Sequence, residues 1–236
     1  MRTAVAALDH LVLATPDLEA TAAWVESATG VSPAPGGQHV GKGTRNMLCS
    51  FGPTSYLEII GPDPEQGRPQ GPRPFGIDEL IEPGIVAWAI AVADINATVA
   101  TARDAGYDPG DAAGMQRRRP DGLLLTWRLT QPTSKVVPFI IDWADSPHPA
   151  VDAAPGLVLA DLRARHPEPG PLAETLEALA VTIGVEDGPE ALLVEIHGPL
   201  GNLTFGWTVR AEGLEPSHLA IQGPKPCASA SFATPA

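Results

Sequence analysis

The chain has 236 residues, 44% of them hydrophobic, with 15 basic and 28 acidic side chains and a formal charge of −13. That length supports one large domain or two modest ones with a real core. The acidic balance argues against nonspecific binding to nucleic acid or to anionic membrane surfaces, and no uninterrupted apolar stretch approaches transmembrane length. Aromatic residues are few at 5%, whereas 24 Gly and 26 Pro foretell many turns and short elements. Only Cys49 and Cys227 are present, so a disulfide framework is not expected. No charged-then-apolar leader opens the chain, and a cytoplasmic location is the expectation.

The first predicted strand lies in LDHLVLATPDL, residues 8–18. It is apolar, carries His10, and runs into Asp17, which is placed to cap a helix ending near Gly30. A Gly-rich segment, GGQHVGKGTRNMLCSFG, then leads to YLEIIGP at 56–62, a predicted buried strand with Glu58 at its centre. An unpaired carboxylate there is costly, so Glu58 needs a partner or water. A Gly/Pro-rich connector runs from Pro62 to Pro83.

The pattern then repeats. Residues 11–23 lie over 88–100 without a gap, placing Asp17 on Asp94 and Thr21 on Thr98. The second helix ends near Gly106. Two strands with a turn at QPTS follow, so that Leu57–Ile60 falls on Pro138–Ile141. The basic run QRRRP, Gln116–Pro120, reads as a solvated turn. A weaker third copy follows: a strand over 156–164, a helix with Pro171 in its first turn, and a closing strand pair over 191–205. In it EIHGP echoes EIIGP. The fold class is therefore α+β, with duplicated βαβββ modules at 1–82 and 83–150. A third, smaller βαββ module spans 151–206, and 207–236 is a loose C-terminal segment.

Taken together, LDHLVLATPDL, the Gly-rich loop, YLEIIGP and FIIDWADSPHPA make the chain resemble the vicinal oxygen chelate superfamily, and within it the glyoxalase-like domain group. The resemblance implies paired βαβββ modules curled into an open barrel around a pocket. It also implies one divalent metal, held by a His or Glu from the first and last strand of each module. Carried over, the first module supplies His10 and Glu58. The second has Ala87 and Phe139 at those places, so half of the usual ligand set is missing. A homodimer is a further expectation of the resemblance.

Alternation places Leu8, His10 and Val12 on one strand face and Tyr56, Glu58 and Ile60 on another. His10 and Glu58 are thus candidate metal ligands, a general acid/base pair, or a structural hydrogen bond. His39 or His148 would supply a third ligand. Zinc, iron, manganese, nickel and magnesium are not told apart, and a site with no metal stands level with them. Arg45 and Asn46 are candidates for an anionic or carbonyl-bearing ligand, or else tie down the loop; Trp88, Trp127, Phe139 and Trp143 are candidates for a wall facing a flat or apolar one, with core packing the commoner role and expected for at least two of the four. No phosphate loop, G-x-S-x-G elbow or CxxC pair occurs. Three readings follow: an isomerase- or lyase-type enzyme acting on a small oxygenated compound, a binding protein that sequesters such a molecule, and an interaction protein using residues 151–206. Extradiol-type dioxygenase chemistry is disfavoured, because it needs a loop histidine to complete its ligands.

Overall fold

A computed structural model describes residues 8–206; the segment 207–236, with Cys227, lies outside the described residues. The first module is β1 (Leu8–Ala14), α1 (Leu18–Thr29), β2 (Ala34–His39), β3 (Thr44–Gly52) and β4 (Ser55–Pro62). The second is β5 (Gly84–Ala91), α2 (Ile95–Asp104), β6 (Ala113–Arg118), β7 (Leu124–Leu129) and β8 (Phe139–Asp142). The internal repeat thus corresponds to two βαβββ units. Asp17 and Asp94 cap their helices alike, each accepting a backbone N–H three residues on, from Ala20 and Ala97, at 3.0 Å. Helix α1 stops at Gly30, whose φ of 79° is the left-handed turn that glycine adopts without a Cβ clash.

Eight strands form one curled barrel in the order β1-β4-β3-β2-β6-β7-β8-β5. Each module opens with its first strand parallel to its last, β1 to β4 and β5 to β8. The modules join where β5 lies antiparallel to β1, and the ladder closes at a short second seam, Gln38 opposite Arg118 and His39 opposite Arg117. Alternate residues divide into two layers. Val12, Ala14, Ile60, Ala87, Ala89 and Phe139 face the interior, while Leu11, Leu13, Leu57, Ile59, Trp88 and Ile90 form the larger core outside the barrel wall. Trp88 is therefore corrected as a ligand-binding candidate. It is fully buried in the outer layer, and its indole N–H donates to the Val136 carbonyl at 3.2 Å.

The third unit has one strand more than the sequence pattern predicts. It comprises β9 (Val158–His166), α3 (Pro169–Ala178), β10 (Gly184–Asp187), β11 (Ala191–His197) and β12 (Asn202–Phe205). Its order is β10-β9-β11-β12, so the first strand is central rather than terminal and the unit is not a third barrel module. Glu195 of EIHGP accordingly lies in this sheet, 2.7 Å from His197, and is not the counterpart of Glu58. The unit packs beside the end of α1, where the Leu200 N–H donates to the Thr29 carbonyl at 2.9 Å and Phe205 meets Trp24 edge-on. None of the described helices is long and apolar enough to cross a membrane.

Candidate functional site

The barrel encloses a cavity of about 580 Å³. Strands β2, β4 and β7 all run in one direction, because each is related to the next through one antiparallel neighbour. The loops that follow them gather at one end and form the mouth, where Lys42, Phe75 and Lys135 contribute to the lining. Deeper, the walls carry His10, His39, Asn46, Tyr56, Glu58, Arg117, Trp127, Phe139 and Trp143.

The parallel register of β1 and β4 sets His10 beside Tyr56 and Val12 beside Glu58, so both polar side chains enter the same space. His10 Nε2 lies 3.6 Å from Glu58 Oε2, and His39 Nε2 lies 3.5 Å from Glu58 Oε1. The Asn46 amide donates to Glu58 Oε1 at 2.6 Å and accepts from Arg117 Nη1 at 3.1 Å. A chain of donors therefore runs from Arg117 through Asn46 to the carboxylate. The His10 ring stacks on Tyr56 at 4.8 Å and meets Phe139 edge-on at 5.4 Å.

Simple alternation fails at Asp9. Leu8 opposes Ile90 and His10 opposes Ala89, so Asp9 is the extra residue of a β-bulge. Leu8 consequently joins the outer layer, and Asp9 is aligned with His10 instead of opposite it. The Asp9 carboxylate accepts from His10 Nδ1 at 2.6 Å, from the Trp143 indole N–H at 2.7 Å and from His148 Nε2 at 3.0 Å. Burial pushes this carboxyl up, but the hydrogen bonds from His10 and His148 and their charge outweigh it and hold its pKa at about 2. An ionised Asp9 only accepts, so the proton sits on His10 Nδ1 and the ring turns Nε2 towards Glu58.

His39 is buried between strands, with Nδ1 3.1 Å from the Thr44 hydroxyl. Burial lowers its pKa to about 4; Glu58 pulls it back up, while Arg117 and His10 push it down. It is therefore neutral at pH 7. Since the unfolded chain titrates near 6.5 and the folded one near 4, the unfolded state holds the extra proton between those values. Stability is then full above pH 6.5 and falls as the pH drops towards 4. We expect about 2–3 kcal/mol to be lost between pH 7.5 and 4.5 relative to His39→Gln, read from urea unfolding at the two pH values. Equal losses in the two proteins would contradict the assignment.

Burial, with Asp9 and Glu58 nearby, raises the Tyr56 phenol well above its ordinary range, so it stays protonated. Arg117 is only 3% exposed. Burial draws its pKa down, and Tyr56 and Glu58 draw it back up; a guanidinium nevertheless remains a cation. This corrects the reading of QRRRP as a solvated turn. Gln116 to Arg118 belong to β6, and period-two alternation buries Arg117 while its neighbours stay exposed.

Two further candidates lie off the cavity. Arg45 turns to the outer surface and pairs with Glu19 at 2.7 Å, because it alternates with the inward-facing Asn46 on β3. His148 reaches Asp9, one carboxylate beyond His10, and is not at hand as a third ligand beside Glu58. Its Nδ1 accepts the Ala150 N–H, so its Nε2 is the donor to Asp9. His10, Glu58, His39, Asn46, Trp127 and Phe139 are brought together. The lone described cysteine, Cys49, is buried, which raises its thiol to about 12.

The donor set does not fit a divalent ion. Among the described residues no group of three His, Cys, Asp or Glu side chains is arranged to hold one. The second module offers Ala87 and Phe139 to the interior, Glu58 Oε1 already takes the Asn46 N–H, and the fixed Arg117 cation acts on His39 and Glu58. A second cation in that field is disfavoured.

The comparisons with known proteins agree with this architecture. A family model described as glyoxalase-like domain matches residues 8–180. No curated protein matches the chain significantly. Among solved structures, a hypothetical protein from Staphylococcus aureus is 16% identical, with 84% of each chain covered and a TM-score of 0.57, a likeness of fold. Methylmalonyl-CoA epimerase from Mycobacterium tuberculosis is 19% identical over 58% of this chain and 87% of that one, with a TM-score of 0.39. A Streptomyces coelicolor methylmalonyl-CoA epimerase in complex with 2-nitronate-propionyl-CoA is 21% identical over 61% of this chain and 100% of that one, with a TM-score of 0.41. The paired modules, the barrel and the match over residues 8–180 together place the chain in the glyoxalase-like domain family of the vicinal oxygen chelate superfamily.

Proposed function

We propose that the cavity is an active site for isomerase- or lyase-type chemistry on a small oxygenated organic compound. Glu58 moves a proton at a carbon next to a carbonyl group. The observation that carries this is the placement of Glu58, a buried carboxylate held by Asn46 and flanked by the Nε2 atoms of His10 and His39. Removing the proton from that carbon leaves its electron pair in the C–C bond and charge on the carbonyl oxygen. Arg117 and the protonated Tyr56 are the groups suited to stabilising that oxyanion. His10, its Nδ1–H fixed by Asp9, offers an unprotonated Nε2 that takes the abstracted proton from Glu58 and gives it back to the substrate, which restores both side chains.

A second reading is binding without turnover, favoured by the aromatic wall of Phe139, Trp127 and Trp143 where the second module lacks polar groups. One experiment separates the two. Enolisable ketones, aldehydes and esters are incubated with the protein in D2O and followed by proton NMR. Loss of the signal next to the carbonyl, or a rearranged product, supports turnover. A compound that binds and is recovered with all its protons supports sequestration.

A further inference from the structure

We propose that the cavity selects an organic anion, a small apolar or aromatic molecule bearing a carboxylate, and that Arg117 holds the carboxylate. The proposal deepens the reading of this cavity as a small-molecule site and names its ligand class. The charge distribution carries it. In a chain of net charge −13 the expected local potential is negative, yet three fixed cations, Lys42, Arg117 and Lys135, line this cavity against the single carboxylate of Glu58. Among the described residues none of these cations makes an ion pair. Lys42 and Lys135 are exposed at the mouth, where field lines focus on an approaching anion.

Arg117 is the unusual member. An unpaired guanidinium this deeply buried is costly, and its Nε has no hydrogen-bond acceptor. The Trp127 indole N–H in the same wall is also buried without a partner. Two donors without acceptors in one wall leave the Arg117 charge poorly compensated for its burial, and its side chain lines the cavity that a ligand's oxygen atoms would enter. Asn46 explains why Glu58 does not provide them. Its amide stands between the two, accepting from Arg117 and donating to Glu58, so carboxylate and guanidinium are bridged and not neutralised. A planar guanidinium left in this state suits a carboxylate, which accepts in a fork. The ligand body then lies against Phe139, Trp127 and Phe75, with the carbon beside its carboxylate end facing Glu58.

The test uses 2-naphthoate and 2-naphthamide, which share shape and differ in charge, titrated by calorimetry into the whole chain. Neither has an enolisable C–H, so the outcome is independent of whether Glu58 moves protons. The acid is expected to bind roughly tenfold to a hundredfold tighter than the amide, as one charge-assisted fork provides. The preference should vanish in Arg117→Gln. It should weaken a few-fold in the double variant Lys42→Gln/Lys135→Gln, whose sites are exposed loops that folding tolerates. Raising the salt concentration should also weaken it. Equal affinities, no binding of either compound at millimolar concentration, or a preference that survives in both variants would overturn the proposal. Should Arg117→Gln not fold, an acid preference unchanged by the lysine variant and by salt would overturn it alone.

Discussion

In Glu58→Gln, proton exchange on whichever carbonyl compound the wild type turns over should fall by about 10²–10⁴, the usual share of a positioned general base. That corresponds to roughly 3–5 kcal/mol of lost transition-state stabilisation. The substitution is nearly isosteric. A glutamine oxygen still accepts the Asn46 N–H, as Glu58 Oε1 does at 2.6 Å, and its amide nitrogen can donate to His10 Nε2, now 3.6 Å from Oε2. The barrel therefore remains folded and only the base is lost. Urea unfolding and exchange kinetics on the same sample check both halves. An exchange rate within about threefold of wild type, in a folded variant, would remove Glu58 from the chemistry. A rate fall in which KM changes while kcat holds would instead make Glu58 a binding residue.

Much of the barrel was legible in the chain because its signals are local and doubled. Asp17 and Asp94 cap helices by the same hydrogen bond, and Gly30 ends α1 with the backbone that glycine permits. The shared face of His10 and Glu58 followed from alternation plus the parallel register of first and last strands. What alternation could not reveal was a break in alternation. Asp9 enters the site only because the bulge against β5 adds one residue, and a bulge has no period of its own. Arg117 was concealed by its neighbours. Flanked by Gln116 and Arg118, it looked like part of a solvated run, although an inward residue between two outward ones is what a strand produces. Trp88 failed for the converse reason. A tryptophan beside a candidate ligand position suggests a ligand wall, but one residue's shift turns it to the outer core. In the third unit β10 is only four residues long, and its pairing with β9 is non-local, so neither pattern nor length announced it.

The bulged aspartate is also where the largest loss of stability is expected. Asp9 is fully buried and receives three donors, from His10, Trp143 and His148. Its low pKa states the same fact thermodynamically: the ionised form is the one the fold stabilises. For a carboxylate whose folded pKa is depressed, that stability is present above the unfolded value of 3.8 and is lost as the pH falls towards about 2. At neutral pH it is fully in place. Asp9→Ala removes the acceptor and leaves the His10 Nδ1–H and the Trp143 N–H without one, each costing ~1–3 kcal/mol. With the small void added, the expected loss is about 3–5 kcal/mol at pH 7, read as a lower urea midpoint with an unchanged slope. Asp9→Asn keeps the shape and one acceptor oxygen, so it should lose roughly half as much. It also frees His10 from a single tautomer, and a proton-exchange pH profile altered in Asp9→Asn but not in His148→Gln would mark Asp9 as the residue that positions His10. A loss below about 1 kcal/mol in Asp9→Ala would mean that water replaces the carboxylate, and that the bulge serves the strand rather than the site.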